Sequence, residues 1–152
     1  VVPGRIEAES LKVQSVSRIR VEPQDMTPFG NHWSEDSQMV WWGGLSEGDQ
    51  LVLEVPVDKA GTYALELRLS KAQDYGMFSF QLDDGPASAA IDFFDPKLQP
   101  PMLFKLKPAK LTQGKHLLKI SYHGKNPNSS NSLIGIDYLM LDAAVIQNPN
   151  PE

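Results

Sequence analysis

The sequence predicts an all-β domain, an antiparallel β-sandwich with jelly-roll topology. Three consecutive runs alternate apolar with polar residues over positions 51–57, 63–69 and 78–82. A period of two sustained over several residues is typical of half-buried strands. Twelve prolines and eleven glycines are spread between short apolar runs, which favours many short strands over a helical bundle. A closed barrel is the less favoured alternative.

The first thirty residues begin with a strand that is poor in apolar side chains. A short strand is predicted over residues 5–9, where alternation places Glu7 and Glu9 on the same face. Residues 11–21 alternate well enough to form one or two short strands. Residues 22–30 contain two prolines and are predicted to be a loop.

The segment 31–44 holds all three tryptophans of the chain. Residues 38–42 are compatible with a strand that two glycines then end. Successive side chains of a strand point to opposite faces, so Trp41 and Trp42 cannot both face the core. At least one of them is expected to be a core residue.

The second half of the chain continues the pattern of short strands. Further strands are predicted over residues 89–94, 102–107, 118–122 and 133–141, with loops over 97–101 and 123–132. In the last strand, strict alternation places Tyr138 and Met140 on the face of Ile136 and places Asp137 on the opposite face.

Length and composition narrow the function classes. The 152 residues are expected to form one domain, with a core over roughly 5–142 and short linker-like ends. A net charge of -5 argues against binding to nucleic acid or to an anionic membrane surface. There is no cysteine, hence no disulfide framework or thiolate metal site. The isolated domain is expected to be a monomer.

Catalysis is not predicted. Carboxylates are available for glycosidase-type acid and base work, but no spacing selects a pair. The three histidines lack a partner signature, and no nucleophile elbow or zinc-protease motif occurs. A lone histidine is more often a surface or structural residue than a catalytic one.

Three separated segments carry a family resemblance. They are RIEAES at the start, GDQLVLEVPVDKAGTYALELRLSKAQDYG in the centre and LTQGKHLLKISYHGKNPNSSNSLIGIDYLML near the end. Together they resemble the non-catalytic carbohydrate-binding modules of the galactose-binding-like β-sandwich group, and families six and thirty-five are the most similar. Such modules are appended to bacterial glycoside hydrolases.

The resemblance implies a function and a setting. The expected function is non-catalytic carbohydrate binding that targets or supports an attached glycoside hydrolase. The expected location is secreted, periplasmic or at the cell surface. The alternative is a structural accessory sandwich that packs against a catalytic domain and binds no glycan itself.

The resemblance also implies a structural Ca²⁺ between the first and last strands. The residues that match the metal positions are Glu7, Glu9 and Asp137. Three carboxylates brought together repel one another unless they are protonated or bridged by a hard cation, and Ca²⁺ accepts six to eight oxygens. The alternative is that the two glutamates are exposed on an edge strand and Asp137 caps a turn.

Sugars are recognised by aromatic faces and by planar polar groups, and the predicted loops contain both. The candidate ligand-binding residues are Trp33, Trp42, Lys71, Asp74, Tyr75, Phe94, Asn126 and Asn131. Among them Trp33, Lys71, Asp74 and Tyr75 form the preferred site. Each has a structural alternative: a buried aromatic, a tight turn, a local Lys71–Asp74 ion pair, or an amide that satisfies loop backbone.

Overall fold

Two antiparallel sheets face each other in the computed structural model, which describes residues 5–7, 13–16, 21–30, 33–34, 37–41 and 46–143. In chain order the strands of this part are β1 (Arg5–Glu7), β2 (Val13–Val16), β3 (Val21–Asp25), β4 (Ser37–Trp41), β5 (Gln50–Val57), β6 (Gly61–Lys71), β7 (Met77–Leu82), β8 (Ile91–Asp92), β9 (Gln99–Lys105), β10 (Ala109–Leu111), β11 (Gly114–Tyr122) and β12 (Ile134–Ala143). A short 3₁₀ turn, Thr27–Phe29, follows β3. The predicted all-β sandwich is confirmed.

The first sheet, sheet A, has the order β10-β6-β12-β4-β3, with β9 also paired to β6 and β1 to β12. The second, sheet B, has the order β2-β5-β11-β7-β8. The three central strands predicted from alternation are present as β5, β6 and β7, but they do not pair with one another. The chain crosses from sheet B to sheet A and back, so their apolar faces meet across the core.

The core lies between the two sheets. Its largest fully buried side chains include Trp41, Phe78, Phe80, Phe93, Met39, Leu53, Leu67 and Leu118. Full burial of one such side chain contributes about 1.5–3 kcal/mol relative to exposure. The position of Trp41 confirms that one of the two adjacent tryptophans is a core residue; Trp42 lies outside the described residues.

Two predicted loops turn out to begin or contain strands. β3 includes Pro23 inside the predicted loop 22–30, and β9 begins at Gln99 inside the predicted loop 97–101. The prediction was wrong because proline disrupts a strand only where a neighbouring strand needs the backbone N–H that proline lacks. Among the described strands β3 ends sheet A and β9 pairs with β6 alone, so both strands have a free edge where proline is tolerated.

A β-bulge in β12 changes the predicted facing of its side chains. The pairing with β6 shifts between Ile136 and Tyr138, and Asp137 is the extra residue. Beyond the bulge Leu139 faces the core, whereas Tyr138 and Met140 face outward. The strict alternation predicted for this strand was therefore wrong after Ile136, because one inserted residue reverses the two faces.

The turn after β7 is held by a histidine. Asp83 has φ +52, and its carboxylate accepts hydrogen bonds from the Leu117 backbone N–H at 2.8 Å and from His116 Nδ1 at 2.5 Å. His116 Nε2 also lies 2.7 Å from the Thr112 carbonyl oxygen. Burial alone would lower the pKa of His116, but these two acceptors raise it above its ordinary value. His116 is thus a structural residue.

None of the helical segments in the described part of the chain is long and apolar enough to cross a membrane.

Candidate functional site

A cleft of about 430 Å³ lies beside the outer face of sheet A. It is enclosed by the connection after β3, the β6–β7 loop and the segment that leads into β9. Its polar lining is Gln24, Gln38, Gln73, Asp74, Tyr75 and Lys97, and its apolar lining includes Phe29, Met26 and Leu98. Apolar walls with a few converging polar groups are typical of small-molecule sites.

Backbone hydrogen bonds hold the β6–β7 loop on both sides. The Ala72 N–H donates to the Phe93 carbonyl at 3.1 Å, and the Leu133 N–H donates to the Asp74 carbonyl at 3.0 Å. Gly76 leaves no room for a side chain, since an added Cβ would lie 2.9 Å from the Tyr122 ring. The loop is therefore rigid in its backbone and presents fixed side chains to the cleft.

A buried hydrogen-bond network forms the floor of the cleft, with Gln38 at its centre. Gln38 Oε1 accepts from Trp33 Nε1 at 3.0 Å and from Ser70 Oγ at 2.7 Å. Gln38 Nε2 donates to the Tyr75 hydroxyl and to Gln24 Oε1, each at 3.0 Å. Buried polar groups need such partners, because an unsatisfied one is costly.

Local turn chemistry presents Phe29 at the rim of the cleft. The Asp25 carboxylate accepts from the Thr27 hydroxyl at 2.6 Å and from the Thr27 N–H at 2.9 Å, and these bonds lower the pKa of Asp25. This Asx turn and Pro28 start the 3₁₀ turn that carries Phe29. The Phe29 side chain is 50% exposed.

Sequence reasoning missed Phe29 as a site residue. A usable signal was present, since the residue lies between Pro28 and Gly30 in a segment with few other large apolar side chains. An aromatic side chain in a short rigid loop has no obvious core to enter. The structure shows that it stays half in solvent.

Of the predicted ligand-binding residues, Asp74 and Tyr75 lie at the cleft. Asp74 is half-buried and lines it. Tyr75 and Trp33 are each only 4% exposed, and both use their polar atoms to satisfy Gln38. Burial in the low dielectric of this layer is the main cause that raises the pKa of Tyr75. Neither ring offers a solvent-facing platform.

Four further candidates are distributed around the loops. Phe94 is half-buried and forms an isolated backbone bridge with Ala72. Lys71 lies near enough to Asp95 for its charge to help lower the pKa of that carboxyl group. The main cause of the lowered pKa is the hydrogen bond that Asp95 accepts from the backbone N–H of Lys97.

The loop amides serve the protein itself. Asn126 donates to the Asp92 carboxylate at 3.0 Å and accepts from the Asn128 N–H at 2.9 Å. The Asn131 side chain accepts from the Ser132 N–H at 2.8 Å. The structural alternative stated for these two amides matches the observed bonds.

Two of the three predicted metal ligands meet at Ser34. The Ser34 N–H donates to both oxygens of Asp137, at 2.9 and 3.2 Å, and the Ser34 hydroxyl donates to Glu7 Oε2 at 2.7 Å. Asp137 is 1% exposed. Glu9 lies outside the described residues, and within the described ranges no group of three or more His, Cys, Asp or Glu side chains is placed to hold a metal ion.

Comparison with solved structures identifies the fold. The chain is similar to a Paenibacillus xanthan lyase, with 20% identity over 94% of this chain and a TM-score of 0.79. It is similar to a family 35 carbohydrate binding module from an environmental isolate, with 13% identity, a TM-score of 0.57 and coverage of 91% and 92% of the two chains.

A third similar structure is the module CBM6cm-2 of Cellvibrio mixtus lichenase 5A in complex with cellotriose, with 18% identity, a TM-score of 0.51 and coverage of 95% and 99%. The β-sandwich fold expected from the sequence is confirmed. The chain spans 13% of the length of the xanthan lyase. No protein-family profile and no curated protein matches the sequence.

Proposed function

We propose that this chain is a non-catalytic carbohydrate-binding module whose site is the cleft of about 430 Å³ beside sheet A. The observation that carries the proposal is the half-exposed ring of Phe29 on the same cleft as Asp74, Gln73 and Gln24. An aromatic face packs against the apolar side of a sugar ring, while carboxylate and amide groups bind its hydroxyls.

The similar solved structures support this class of function. Two of them are isolated carbohydrate-binding modules that match this chain over more than 90% of both lengths. The third is a polysaccharide lyase in which the matching part is a small fraction of the chain. The proposed role is therefore to bring an attached carbohydrate-active catalytic domain to its substrate outside the cell.

The exposed apolar surface favours a binding module over a purely structural sandwich. In the described part of the chain the large exposed apolar side chains are Phe29, Met102 and Leu103. Met102 and Leu103 are consecutive residues of β9, so their side chains point to opposite faces of the strand and do not form the apolar patch of several hundred Å² expected of a permanent domain interface. Phe29 instead stands at the cleft.

Phe29→Ala is expected to lower glycan affinity about tenfold or more, because loss of the stacking face costs at least about 1.4 kcal/mol. Asp74→Ala is expected to weaken binding in the same assay by removing the acceptor. The measurement is retardation in native gels that contain xanthan, galactomannan or hydroxyethylcellulose. Leu103→Ala is the matched control, since this exposed side chain lies away from the cleft.

Wild-type-like retardation of both Phe29→Ala and Asp74→Ala would remove this cleft as the site. Silence of the wild-type domain in these gels and across a glycan array, together with tight co-purification with its parent enzyme, would favour the structural sandwich.

We also propose a structural Ca²⁺ between β1 and β12. Glu7 and the buried Asp137 lie close enough to accept hydrogen bonds from the same residue, Ser34, and carboxylate oxygens are ligands that Ca²⁺ prefers. Glu9, predicted from the sequence, is the proposed third carboxylate. The ion would neutralise charge that burial otherwise makes unfavourable.

Calcium is expected to raise the melting temperature of the domain, and a chelator is expected to lower it. An ion that binds only the folded state stabilises it by about 2.7 kcal/mol at a concentration 100 times Kd, which corresponds to roughly 5–10 °C for a domain of this size. Asp137→Asn should abolish the response. Asp142→Asn is the control, because Asp142 is an exposed carboxylate on the same strand, β12.

An unchanged melting temperature after exhaustive chelation would contradict the calcium proposal. If calcium still raises the melting temperature of Asp137→Asn, the ion binds at a different site.

A further inference from the structure

In the hydrogen-bond network beneath the cleft, the indole N–H of Trp33 determines which groups donate and which accept. The indole N–H of Trp33 is a donor and cannot accept. It lies 3.0 Å from one atom of the Gln38 amide, which must therefore be the carbonyl oxygen. The Ser70 hydroxyl, 2.7 Å from the same oxygen, is its second donor.

The other end of the Gln38 amide is then an NH₂ group that must donate. Its two acceptors are the Tyr75 hydroxyl and the side-chain carbonyl oxygen of Gln24, each at 3.0 Å. Because Gln24 presents its oxygen to Gln38, its own NH₂ group points away from Gln38. Within the described residues this NH₂ group has no hydrogen-bond partner, and Gln24 lines the cleft.

Burial locks this arrangement. Gln38 and Ser70 are fully buried and Tyr75 nearly so. If the Gln38 amide flipped, its NH₂ group would meet the indole N–H, and two donors would oppose each other away from water. The Tyr75 hydroxyl, which accepts from Gln38, keeps its own proton for Ser70 Oγ at 3.4 Å. Among the network residues that line the cleft, Gln38 and Tyr75 are buried, whereas Gln24 is half-buried and presents its NH₂ group there.

We propose that Trp33 and Gln38 are positioning residues that orient Gln24 as a fixed hydrogen-bond donor, so that the cleft selects a sugar unit with a hydroxyl oxygen free to accept from the Gln24 amide. Asp74 supplies the complementary acceptor for a second hydroxyl. The inference rests on the proposed function for its ligand, but the polarity of the network is independent of any ligand.

Solution NMR of the ¹⁵N-labelled domain tests the polarity without a ligand. Trp33→Phe keeps a ring in place and removes the N–H. We expect the side-chain NH₂ resonances of Gln38 and Gln24 to shift, while backbone resonances of sheet B stay unchanged. Ser70→Ala, which removes the second donor to Gln38, is the alternative variant should Trp33→Phe unfold. An unmoved Gln24 NH₂ pair in a folded variant would overturn the inference.

A charge-matched pair of variants tests the donor role. Gln24→Glu replaces the NH₂ donor by an acceptor, whereas Ser130→Asp adds the same charge beside the β6–β7 loop, at an exposed residue that does not line the cleft. In the xanthan and galactomannan gels we expect at least a tenfold loss of affinity for Gln24→Glu and no more than a twofold loss for Ser130→Asp. Equal losses would mean that charge alone acts and would refute the donor role.

The two proposals fail in different ways. If the wild-type domain binds neither polysaccharide, the donor role toward a glycan falls with the proposed function, and the NMR shifts alone decide the network polarity. If the wild type binds and Phe29→Ala does not, but Gln24→Glu binds normally, the carbohydrate site stands and the role of Gln24 is wrong.

Discussion

Gly135→Ala is expected to lower the free energy of unfolding by about 3 kcal/mol, through overpacking of a closed network. An added Cβ would lie 2.7 Å from both terminal atoms of the Gln38 amide and closer still to the Tyr75 hydroxyl. The Gln38 amide and the Tyr75 hydroxyl are side-chain ends, but both groups are buried and hydrogen-bonded to each other. Gln38 also accepts from Trp33 and Ser70, so the amide cannot move without breaking these bonds.

Urea denaturation of Gly135→Ala and of a matched glycine variant measures this effect. Gly61→Ala is the control, since a Cβ there makes only ordinary contacts of 3.4 Å or more and φ is not positive. The control is expected to change stability by no more than about 0.5 kcal/mol. Equal stability of the two variants would show that the layer over sheet A is looser than the structure indicates.

Phe93→Ala is expected to cost about 3–5 kcal/mol, the range for truncation of a buried aromatic side chain. The Phe93 ring is fully buried and contacts three others: its centroid lies 6.4 Å from Phe78, 6.1 Å from Phe80 and 5.5 Å from Phe104. Phe104 belongs to sheet A and the other two to sheet B. The ring therefore joins the two sheets next to the β6–β7 loop.

Phe94→Ala provides the comparison for Phe93→Ala. The two residues are adjacent in sequence and identical in type, but Phe94 is only half-buried. We expect its truncation to cost about 1 kcal/mol in the same urea titration. If the two variants unfold at the same urea concentration, the contact of Phe93 with both sheets does not stabilise the core as described.

Much of the fold follows from local pattern. The alternation in residues 51–57, 63–69 and 78–82 predicted three strands, and β5, β6 and β7 match them closely. Their assignment to two different sheets could not be read from alternation, because each strand shows the same apolar face whether its partner is a neighbour in sequence or a strand sixty residues away. The bulge at Asp137 could not be predicted either, because an extra residue is recognised only from the pairing of β12 with β6.

The candidate site was predicted only in part. Asp74, one of the predicted ligand-binding residues, lines the cleft, and its role in binding stays a prediction. The sequence predicts Trp33 and Tyr75 as platforms, because aromatic residues in polar loops often meet ligands, whereas the structure buries both side chains. Whether an aromatic ring in a loop is exposed depends on which segments pack over it, and those segments are distant in sequence.

By itself, the sequence determined the all-β class, the strands of the core and the resemblance to a carbohydrate-binding sandwich, since strand alternation and each short motif depend on residues close together along the chain. Only the tertiary structure decided which aromatic side chain faces the cleft. Phe29 stays at the rim because its Asx turn and Pro28 hold it there. Trp33 and Tyr75 are buried instead, because their polar atoms form hydrogen bonds with the buried Gln38 amide, which needs partners.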